Sequence, residues 1–341
     1  MITSESRVSG SEGSLDGVTG AGEGHVPSPA SVKVRRRRTS WRERVEITLF
    51  SAPAIVVFLT FVIVPVGMAA YYGFYRWKGY GPPTTFVGFH NYKVIFGDPA
   101  FRHAVLHNFE IVGLSLLIQG PIAIGLALLL NRKMRGRTVL RVLIFTPWVV
   151  SEVIAGTGWS MLLPVQGAVN ECLTKLHIFG TVNIDWLGNP HLAIWTLMMI
   201  LTWKYIGFAV ILLLAGLQNI PEELYEAASL DGASYWQVQR RITVPLLAPT
   251  IRIWAFLSII GALQLFDLIY IIWGQHNPDV FGISTMATYM VENGPLAQLY
   301  GYGNAVAVVL FLISLVVAVT YQRFVLRRDM VTTVTERKDA R

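Results

Sequence analysis

Residues 217–250 read LQNIPEELYEAASLDGASYWQVQRRITVPLLAPT and form a long hydrophilic stretch between two apolar runs. The order of these residues predicts two short helices joined at a glycine. Pro221 suits the first turn of a helix, and Glu222 and Glu223 then lie at the positive end of the helix dipole. Gly232 suits the left-handed position that ends this first helix.

The second helix of this stretch begins at a capping box. Ser234 is the predicted N-cap, and Gln237, three residues later, is placed to return the hydrogen bond. We predict that Pro245 and Pro249 close this helix and lead into the next apolar run, because proline interrupts helical hydrogen bonding.

Several apolar side chains of the stretch would be costly to leave in water. They are Leu224, Tyr225, Ala227, Ala228 and Trp236. In one interpretation they pack back onto the ends of the protein's own helices. In the other, the stretch is a protruding knob that docks into a groove on a partner, and small residues such as Gly232 permit a close approach of the backbones.

On both sides of this stretch the sequence is that of a chain facing lipid. Apolar residues make up 53% and charged residues only 14%, whereas soluble domains carry about 25% charged residues. A large soluble protein is the alternative, but soluble core helices rarely string together about 20 apolar residues. We therefore predict an all-α polytopic membrane protein with about six transmembrane helices. Their predicted bounds are 47–74, 104–130, 139–163, 192–216, 250–273 and 302–325.

The distribution of basic residues predicts the orientation in the membrane. The net charge is +7, but no basic face interleaved with aromatic residues indicates nucleic-acid binding. With a cytoplasmic N-terminus, the inner segments hold 21 Lys and Arg residues and the outer loops hold 5. The positive-inside rule then predicts a multi-pass protein of the cell membrane with both termini in the cytoplasm.

The ends of the chain differ in composition from its middle. Residues 1 to about 34 are rich in Gly and Ser, and they contain no basic segment leading directly into an apolar core, as a signal peptide would. We predict a disordered cytoplasmic tail over 1–45, a membrane domain over 46–328 that includes the loop 217–249, and a cytoplasmic tail over 329–341. Cys172 is alone, so no intrachain disulfide is expected.

The loop 217–249 resembles a known family motif. Glu226-Ala227-Ala228, three residues, Gly232, nine residues, Ile242, one residue and Val244-Pro245 is similar to the EAA loop of binding-protein-dependent ABC importer permeases, with Val244 in place of Leu. The resemblance implies the type I permease fold and a coupling helix that sits in a cleft of a cytoplasmic ATPase. The residues implied to couple to that ATPase are Glu226, Ala227, Ala228, Asp231, Gly232, Ile242 and Pro245.

Other phrases resemble the carbohydrate branch of this family, and together the likeness covers roughly residues 45–328. They are 214–221, 231–234, Gly167-Ala168-Val169-Asn170, Trp186-Leu187 with Pro190, and 264–270. The turn Trp273-Gly274-Gln275-His276-Asn277-Pro278 departs from the branch. The resemblance implies a sugar or oligosaccharide as substrate. It also implies a second permease, usually a different chain, two ATP-binding subunits and an external solute-binding protein.

The chain has no motif for supplying its own energy. None of its seven lysines stands in a Gly-Lys-Ser or Gly-Lys-Thr sequence, so no P-loop is present. We expect a transport subunit and not an enzyme, with no catalytic residues, no metal and no cofactor, and with ATP bound by a partner.

Two isolated charges lie inside predicted spans. Glu152 falls in the third span and Lys204 in the fourth, where a charge costs about 2.5–3.5 kcal/mol on insertion scales. They are expected to face the bundle interior. They either pair with each other and do nothing further, or Lys204 lies beside the transport path.

Gln264, Asp267 and Tyr270 form a predicted polar stripe on the fifth span. Such a stripe offers a sugar hydrogen bonds and a stacking face, or it bonds to the second permease. With Lys204, these three are the candidate residues of the translocation path.

Rival functions remain at this point. A secondary transporter would work alone on an ion gradient, and an ABC permease for an amino acid or phosphate is a nearer alternative. An intramembrane enzyme would need a catalytic motif such as His-Glu-x-x-His or Gly-x-Ser-x-Gly, and none is present.

Overall fold

The structure, a computed structural model, describes residues 41–132, 134–176, 183–274 and 282–326. The residues up to Val56 form a unit of their own, and the structure describes only the part that begins at Trp41. The tail predicted over 1–45 lies outside the described residues except for 41–45, which are helical. The tail predicted over 329–341 also lies outside them.

The described residues contain fifteen α-helices. They are α1 Trp41–Phe58, α2 Val64–Tyr72, α3 His90–Gly97, α4 Pro99–Leu114, α5 Gly120–Asn131, α6 Arg137–Val149, α7 Glu152–Leu162, α8 Ala168–Lys175, α9 Pro190–Leu217, α10 Glu223–Leu230, α11 Tyr235–Val238, α12 Val244–Leu263, α13 Asp267–Trp273, α14 Met286–Val291 and α15 Tyr300–Tyr321. Two short antiparallel strands, β1 Tyr75–Arg76 and β2 Thr85–Phe86, pair Tyr75 with Phe86. The prediction of an all-α fold is therefore confirmed, with one small hairpin added.

Short π-helical turns continue several of these helices. They lie at Leu59–Ile63, Ser115–Gln119, Gln239–Thr243, Glu292–Leu296 and Gln322–Leu326. Three of the five are followed, two residues on, by a proline: Pro65, Pro121 or Pro245. Proline has no backbone N–H, and its ring clashes with the carbonyl four residues earlier. The wider turn before each proline lets the helix continue instead of ending.

The prediction that Pro245 and Pro249 close the second helix of the loop is therefore wrong. The helix that begins at Tyr235 continues through the π turn Gln239–Thr243 into α12 and ends at Leu263. The second half of the loop, from Tyr235 on, and the next span are one helix.

Five helical segments are long and apolar enough to cross a membrane. They are Val45–Tyr72, Pro99–Asn131, Pro190–Leu217, Tyr235–Leu263 and Tyr300–Leu326. A sixth crossing is made if α6 and α7 together count as one span. The chain is thus a multi-pass membrane protein, as predicted.

The third and fifth predicted spans differ from the structure in their course. The third, 139–163, is broken between α6 and α7, whose axes differ by 99°. The fifth, 250–273, is not continuous, because α12 ends at Leu263 and a separate helix, α13, follows.

Helix α9 is the centre of the fold. In its most apolar window 61% of the residues are buried, against 33% or less in the other spanning segments. It packs against α5, α6 and α12. At Gly207 an added Cβ atom would stand 2.6 Å from the carbonyl oxygen of Ile144. Only glycine therefore permits this approach of α9 to α6.

Candidate functional site

The loop 217–249 contains the turn that the sequence predicts. Helix α10 ends at Leu230, and Gly232 has a φ of +70°. The Gly232 N–H donates to the carbonyl of Ser229 at 3.1 Å, and the Ala233 N–H donates to that of Ala228 at 3.0 Å. These two bonds define a Schellman motif, which satisfies the last carbonyls of the helix.

The helix that follows starts at the predicted cap. The Ser234 N–H donates to Oε1 of Gln237 at 2.7 Å, which is the returning bond of the capping box. The Arg132 guanidinium at the end of α5 lies 4.1 Å from the centre of the Tyr235 ring. This cation–π contact ties the start of the helix to the neighbouring span.

The apolar residues of the loop differ in exposure, and docking on a partner stays a prediction. Ala228 is buried at 7% exposure and packs back on the protein. Leu230 and Trp236 are 90% and 77% exposed. Of the other six residues implied to couple to an ATPase, Ile242 is half-buried and five are exposed: Glu226, Ala227, Asp231, Gly232 and Pro245.

A cavity of about 230 Å³ lies between α4, α6, α9 and α12. Four aromatic side chains line it: Trp148, Tyr205, Phe208 and Trp254. Trp148 stacks on Phe208, with 4.8 Å between the ring centres, and meets Tyr205 edge to face. Aromatic faces of this kind can pack against the apolar face of a sugar ring.

Polar groups also line this cavity. The Ser115 hydroxyl donates to Oε1 of Gln119 at 2.7 Å and lies 2.7 Å from the hydroxyl of Ser258. Ser115 and Gln119 face the same way because they are four residues apart. The cavity therefore combines aromatic surfaces with hydrogen-bonding groups from two spans, Pro99–Asn131 and Tyr235–Leu263.

Lys204 lies next to Glu152, as expected if the two charges pair with each other. It does not line the cavity. Its side chain is 2% exposed, and its Nζ atom lies 3.5 Å from Oε1 of Glu152. The same carboxylate oxygen accepts a hydrogen bond from the Tyr205 hydroxyl at 3.1 Å. Lys204 is absent from the cavity lining, whereas its neighbour Tyr205 contributes to it.

The predicted polar stripe of the fifth span is not a stripe in the structure. Gln264 is the residue after the end of α12, and Asp267 is the first residue of α13. The helix is interrupted between them, and in this interruption the Leu265 carbonyl accepts a hydrogen bond from the Thr285 hydroxyl at 2.7 Å. Tyr270 stacks on Phe266, and none of Gln264, Asp267 and Tyr270 lines the described cavity.

Asn108 holds the same break from the other side. It is fully buried, its Nδ2 donates to the carbonyl of Ala262 at 2.7 Å, and its Oδ1 accepts from the Met286 N–H at 2.8 Å. One amide thus joins α4 to the end of α12 and the start of α14.

We expect Asn108→Ala to lower the free energy of unfolding by about 1–3 kcal/mol, because it removes the bond to the Ala262 carbonyl and leaves the buried Met286 N–H without its partner. Denaturation in mixed detergent micelles measures this loss. Asn131→Ala, at an exposed position, is the control and should change the value by less than about 0.5 kcal/mol. Equal stability of the two variants would contradict the assigned role of Asn108.

Two sequence segments typical of the carbohydrate branch, 167–170 and 186–187, also lie close together in the structure. Asn170 Oδ1 accepts from the Trp186 indole at 2.8 Å, and its Nδ2 donates to the carbonyls of Val165 and Ile184. The Trp273 indole donates to the carbonyl of Leu187 at 2.9 Å. The turn after Trp273 lies outside the described residues from Gln275 on.

Sequence reasoning missed the residues that line the cavity. The sequence carried only a weak signal for them. Ser115, Gln119 and Ser258 are polar residues inside apolar runs. Trp148 lies four residues before Glu152, and Tyr205 directly follows Lys204. Among the residues that the structure describes, no group of three or more His, Cys, Asp or Glu side chains is arranged to hold a metal ion.

Comparisons with known proteins give the same picture over most of the chain. Residues 119–329 match the family model described as the binding-protein-dependent transport system inner membrane component. The trehalose/maltose transport system permease protein MalF of Thermococcus litoralis is 32% identical over 274 residues, which are 80% of this chain and 91% of that protein. The arabinooligosaccharides transport system permease protein AraP of Bacillus subtilis is 30% identical over 300 residues, 86% of this chain and 92% of that protein.

Solved structures with this fold exist. One is a crystal structure of a bacterial alginate ABC transporter in complex with an alginate pentasaccharide-bound periplasmic protein. A chain of it superposes with a TM-score of 0.71 at 26% identity, covering 84% of this chain and 95% of that chain. The matched segment 119–329 includes the loop 217–249 and both helix breaks. It also includes α9 and α12, two of the membrane-spanning helices that line the cavity. The chain therefore belongs to the family of binding-protein-dependent transport system inner membrane components.

Proposed function

We propose that this chain is the permease subunit of an ATP-driven ABC importer, where it forms half of the translocation pathway for a sugar or oligosaccharide. The observation that carries the proposal is the capped helix–turn–helix of the loop 217–249, which leaves Leu230 and Trp236 exposed between two spans. An ordered loop with such apolar side chains in water is suited to docking on a partner.

In this proposal the partner at the loop is a cytoplasmic ATPase. The chain has no P-loop of its own, so ATP is bound and hydrolysed elsewhere. The residues proposed to transmit the movement are Glu226, Ala227, Ala228, Asp231, Gly232, Ile242 and Pro245. ATP binding closes the ATPase pair, the loop moves with it, and the attached spans tilt to open the cavity to the other side.

Two observations support a sugar as the substrate. The relatives named above are named for trehalose and maltose or for arabinooligosaccharides, and the structural neighbour belongs to an alginate importer. The cavity pairs aromatic faces with serine and glutamine side chains, a combination that suits the apolar face and the hydroxyl groups of a sugar. Ser115, Gln119, Trp148, Tyr205 and Ser258 are therefore added to the candidate path.

The remaining partners follow from this function. A second permease supplies the other half of the pathway, two ATP-binding subunits supply energy, and an extracytoplasmic solute-binding protein delivers the sugar. The basic residues of the inner segments support a location in the inner, cytoplasmic membrane with both termini in the cytoplasm.

Copurification from native membranes tests the proposal. A tagged copy of this chain should retain an ATP-binding subunit, a second permease and a solute-binding protein, and proteoliposomes of the complex should accumulate a sugar only with ATP inside. The solute-binding protein can then be screened by thermal shift against a panel of sugars, amino acids and phosphate to identify the solute.

Each rival function predicts a different result. Uptake by the isolated chain, driven by an ion gradient without any ATPase, would establish a secondary transporter. Binding of an amino acid or phosphate by the copurified binding protein would keep the importer and replace the sugar. Proteolytic or other catalytic activity of the isolated chain would indicate an enzyme.

A further inference from the structure

The ammonium group of Lys204 is surrounded by the backbone at the end of α6. Nζ donates to the carbonyls of Pro147 at 3.1 Å, Trp148 at 3.3 Å and Val150 at 2.5 Å. An ammonium group has three donors, so these carbonyls use all of them. Glu152, at 3.5 Å, adds an opposite charge. A group with all its donors used and 2% exposure has none left for a passing sugar.

These contacts stand where the third span breaks. Helix α6 ends at Val149 and α7 starts at Glu152, with a 99° change of direction between them. The last carbonyls of a helix lack partners within it and carry the negative end of its dipole. In a membrane, such carbonyls need an internal partner. Lys204, from α9, supplies both the hydrogen bonds and the positive charge.

The residues held by this arrangement form part of the cavity wall. Trp148 contributes its carbonyl to Lys204 and its ring to the cavity, where it stacks on Phe208. Tyr205 contributes its hydroxyl to Glu152 and its ring to the cavity. Any movement of α6 at the break would therefore displace the aromatic surface.

We propose that Lys204 is a positioning residue, which fixes the break between α6 and α7 through the carbonyls of Pro147, Trp148 and Val150 and so holds the aromatic wall of the cavity. Lys204 acts through its neighbours and touches no substrate. The expected effect of this positioning role on transport rests on the proposed function. Its expected effect on the shape of the cavity does not.

The test that needs no transport uses a thiol probe. In a Cys172→Ser background, the cavity residue Ser258 is replaced by cysteine, and its rate of reaction with N-ethylmaleimide is measured in membranes. Lys204→Met should raise this rate about tenfold, because the wall that shields the half-buried position 258 loosens once the buried carbonyls and Glu152 lose their partner. Glu152→Gln should raise it less than about threefold, because the three carbonyl bonds remain.

A control for the loss of a lysine is available. Lys175 and Glu171 form an exposed pair, with 2.6 Å between Nζ and Oε1, and the hydrogen bond from Lys175 lowers the pKa of the Glu171 carboxyl. Lys175→Met should leave the reaction rate unchanged. An unchanged rate in Lys204→Met would overturn the positioning role. Equal effects of Glu152→Gln and Lys204→Met would also overturn it, since the ion pair alone would then hold the wall.

A second measurement follows transport in the complete complex, with radiolabelled maltose as the probe sugar. Lys204→Met should lower the number of maltose molecules moved per ATP about tenfold while ATP hydrolysis stays within about threefold. A fold defect would lower both together and contradict the role. Trp148→Ala should reproduce the uncoupling, and the double variant should be no worse than either single one. If Lys204→Met fails to insert into the membrane, Trp148→Ala still tests the proposal. A normal number of maltose molecules per ATP in Trp148→Ala would count against it.

The two proposals fail separately. If the unsubstituted complex shows no ATP-driven uptake of any sugar while the thiol rates change as described, the importer assignment is lost and the positioning role stands. If uptake is normal in Lys204→Met and the thiol rate is unchanged, the positioning role is lost and the importer assignment stands.

Discussion

Gly232→Glu is expected to reduce ATP-driven uptake about a hundredfold while the protein still inserts into the membrane. Gly232 lies at the tip of the loop 217–249, and an added Cβ atom there would meet nothing within 4 Å. The glutamate side chain therefore has room in the isolated chain. On docking it would place an unpaired carboxylate in an interface, which costs several kcal/mol, and each 1.4 kcal/mol is a factor of ten.

Backbone strain is the competing explanation for such a loss. Gly232 has a φ of +70°, and a side chain at this φ costs about 1–2 kcal/mol. Gly81 offers a matched control, because its φ is +62°, its added Cβ atom would also meet nothing within 4 Å, and it lies in the β1–β2 connection. Gly81→Glu carries the same strain and charge and should leave uptake within about twofold.

A second control, at position 232 itself, tests whether an uncharged side chain with little backbone strain is tolerated there. Asparagine tolerates the left-handed conformation better than other residues with a side chain and carries no charge, so Gly232→Asn should retain most of the uptake. Copurification of the ATPase with each variant measures docking directly. Normal uptake by Gly232→Glu, or loss of uptake in Gly81→Glu to the same degree, would contradict a docking role for the loop.

Gly261→Trp is expected to block uptake about a hundredfold by filling the cavity. Gly261 lines the cavity on α12, and no atom lies within 4 Å of its added Cβ position. An indole group can enter a space of about 230 Å³ there without displacing the backbone. Binding of the ATPase should be unaffected, because the loop 217–249 is unchanged.

Gly125→Trp is the control for this substitution. Gly125 lies on α5, is exposed, has the same free space at its Cβ position and does not line the cavity. Both changes replace a helical glycine by tryptophan, so their effects on helix propensity are alike. Uptake by the Gly125 variant should stay within about twofold of the parent. If Gly261→Trp transports sugar at the parental rate, the cavity is not part of the pathway.

The features predicted from sequence are those set by neighbouring residues. The turn at Gly232 and the cap at Ser234 depend on side chains within a few positions, and the structure has both. The spans were predicted because apolar length alone determines them. The small hairpin at Tyr75–Phe86 left no comparable signal in the sequence.

The two helix breaks could not be predicted, because the residues that stabilise them are distant in the sequence. The break after Leu263 is held by Asn108 and Thr285, and the break after Val149 is held by Lys204. The sequence around a backbone carbonyl does not show whether a residue of another helix donates a hydrogen bond to it. Pro245 led to the opposite error, a helix end that is absent from the structure. The π turn Gln239–Thr243 lets the helix continue past this proline.

The continuity of the helix Tyr235–Leu263 has a mechanical consequence. Trp236 lies at its exposed end, and Ser258 lies on the cavity, 22 residues further along the same axis. At 1.5 Å per residue, this separation is about 33 Å, so a tilt of about 5° at one end displaces the other by about 3 Å. A lever of this length needs no hinge between the two sites. A tilt of a few degrees is thus enough to shift the cavity wall by as much as an atomic diameter relative to Trp236.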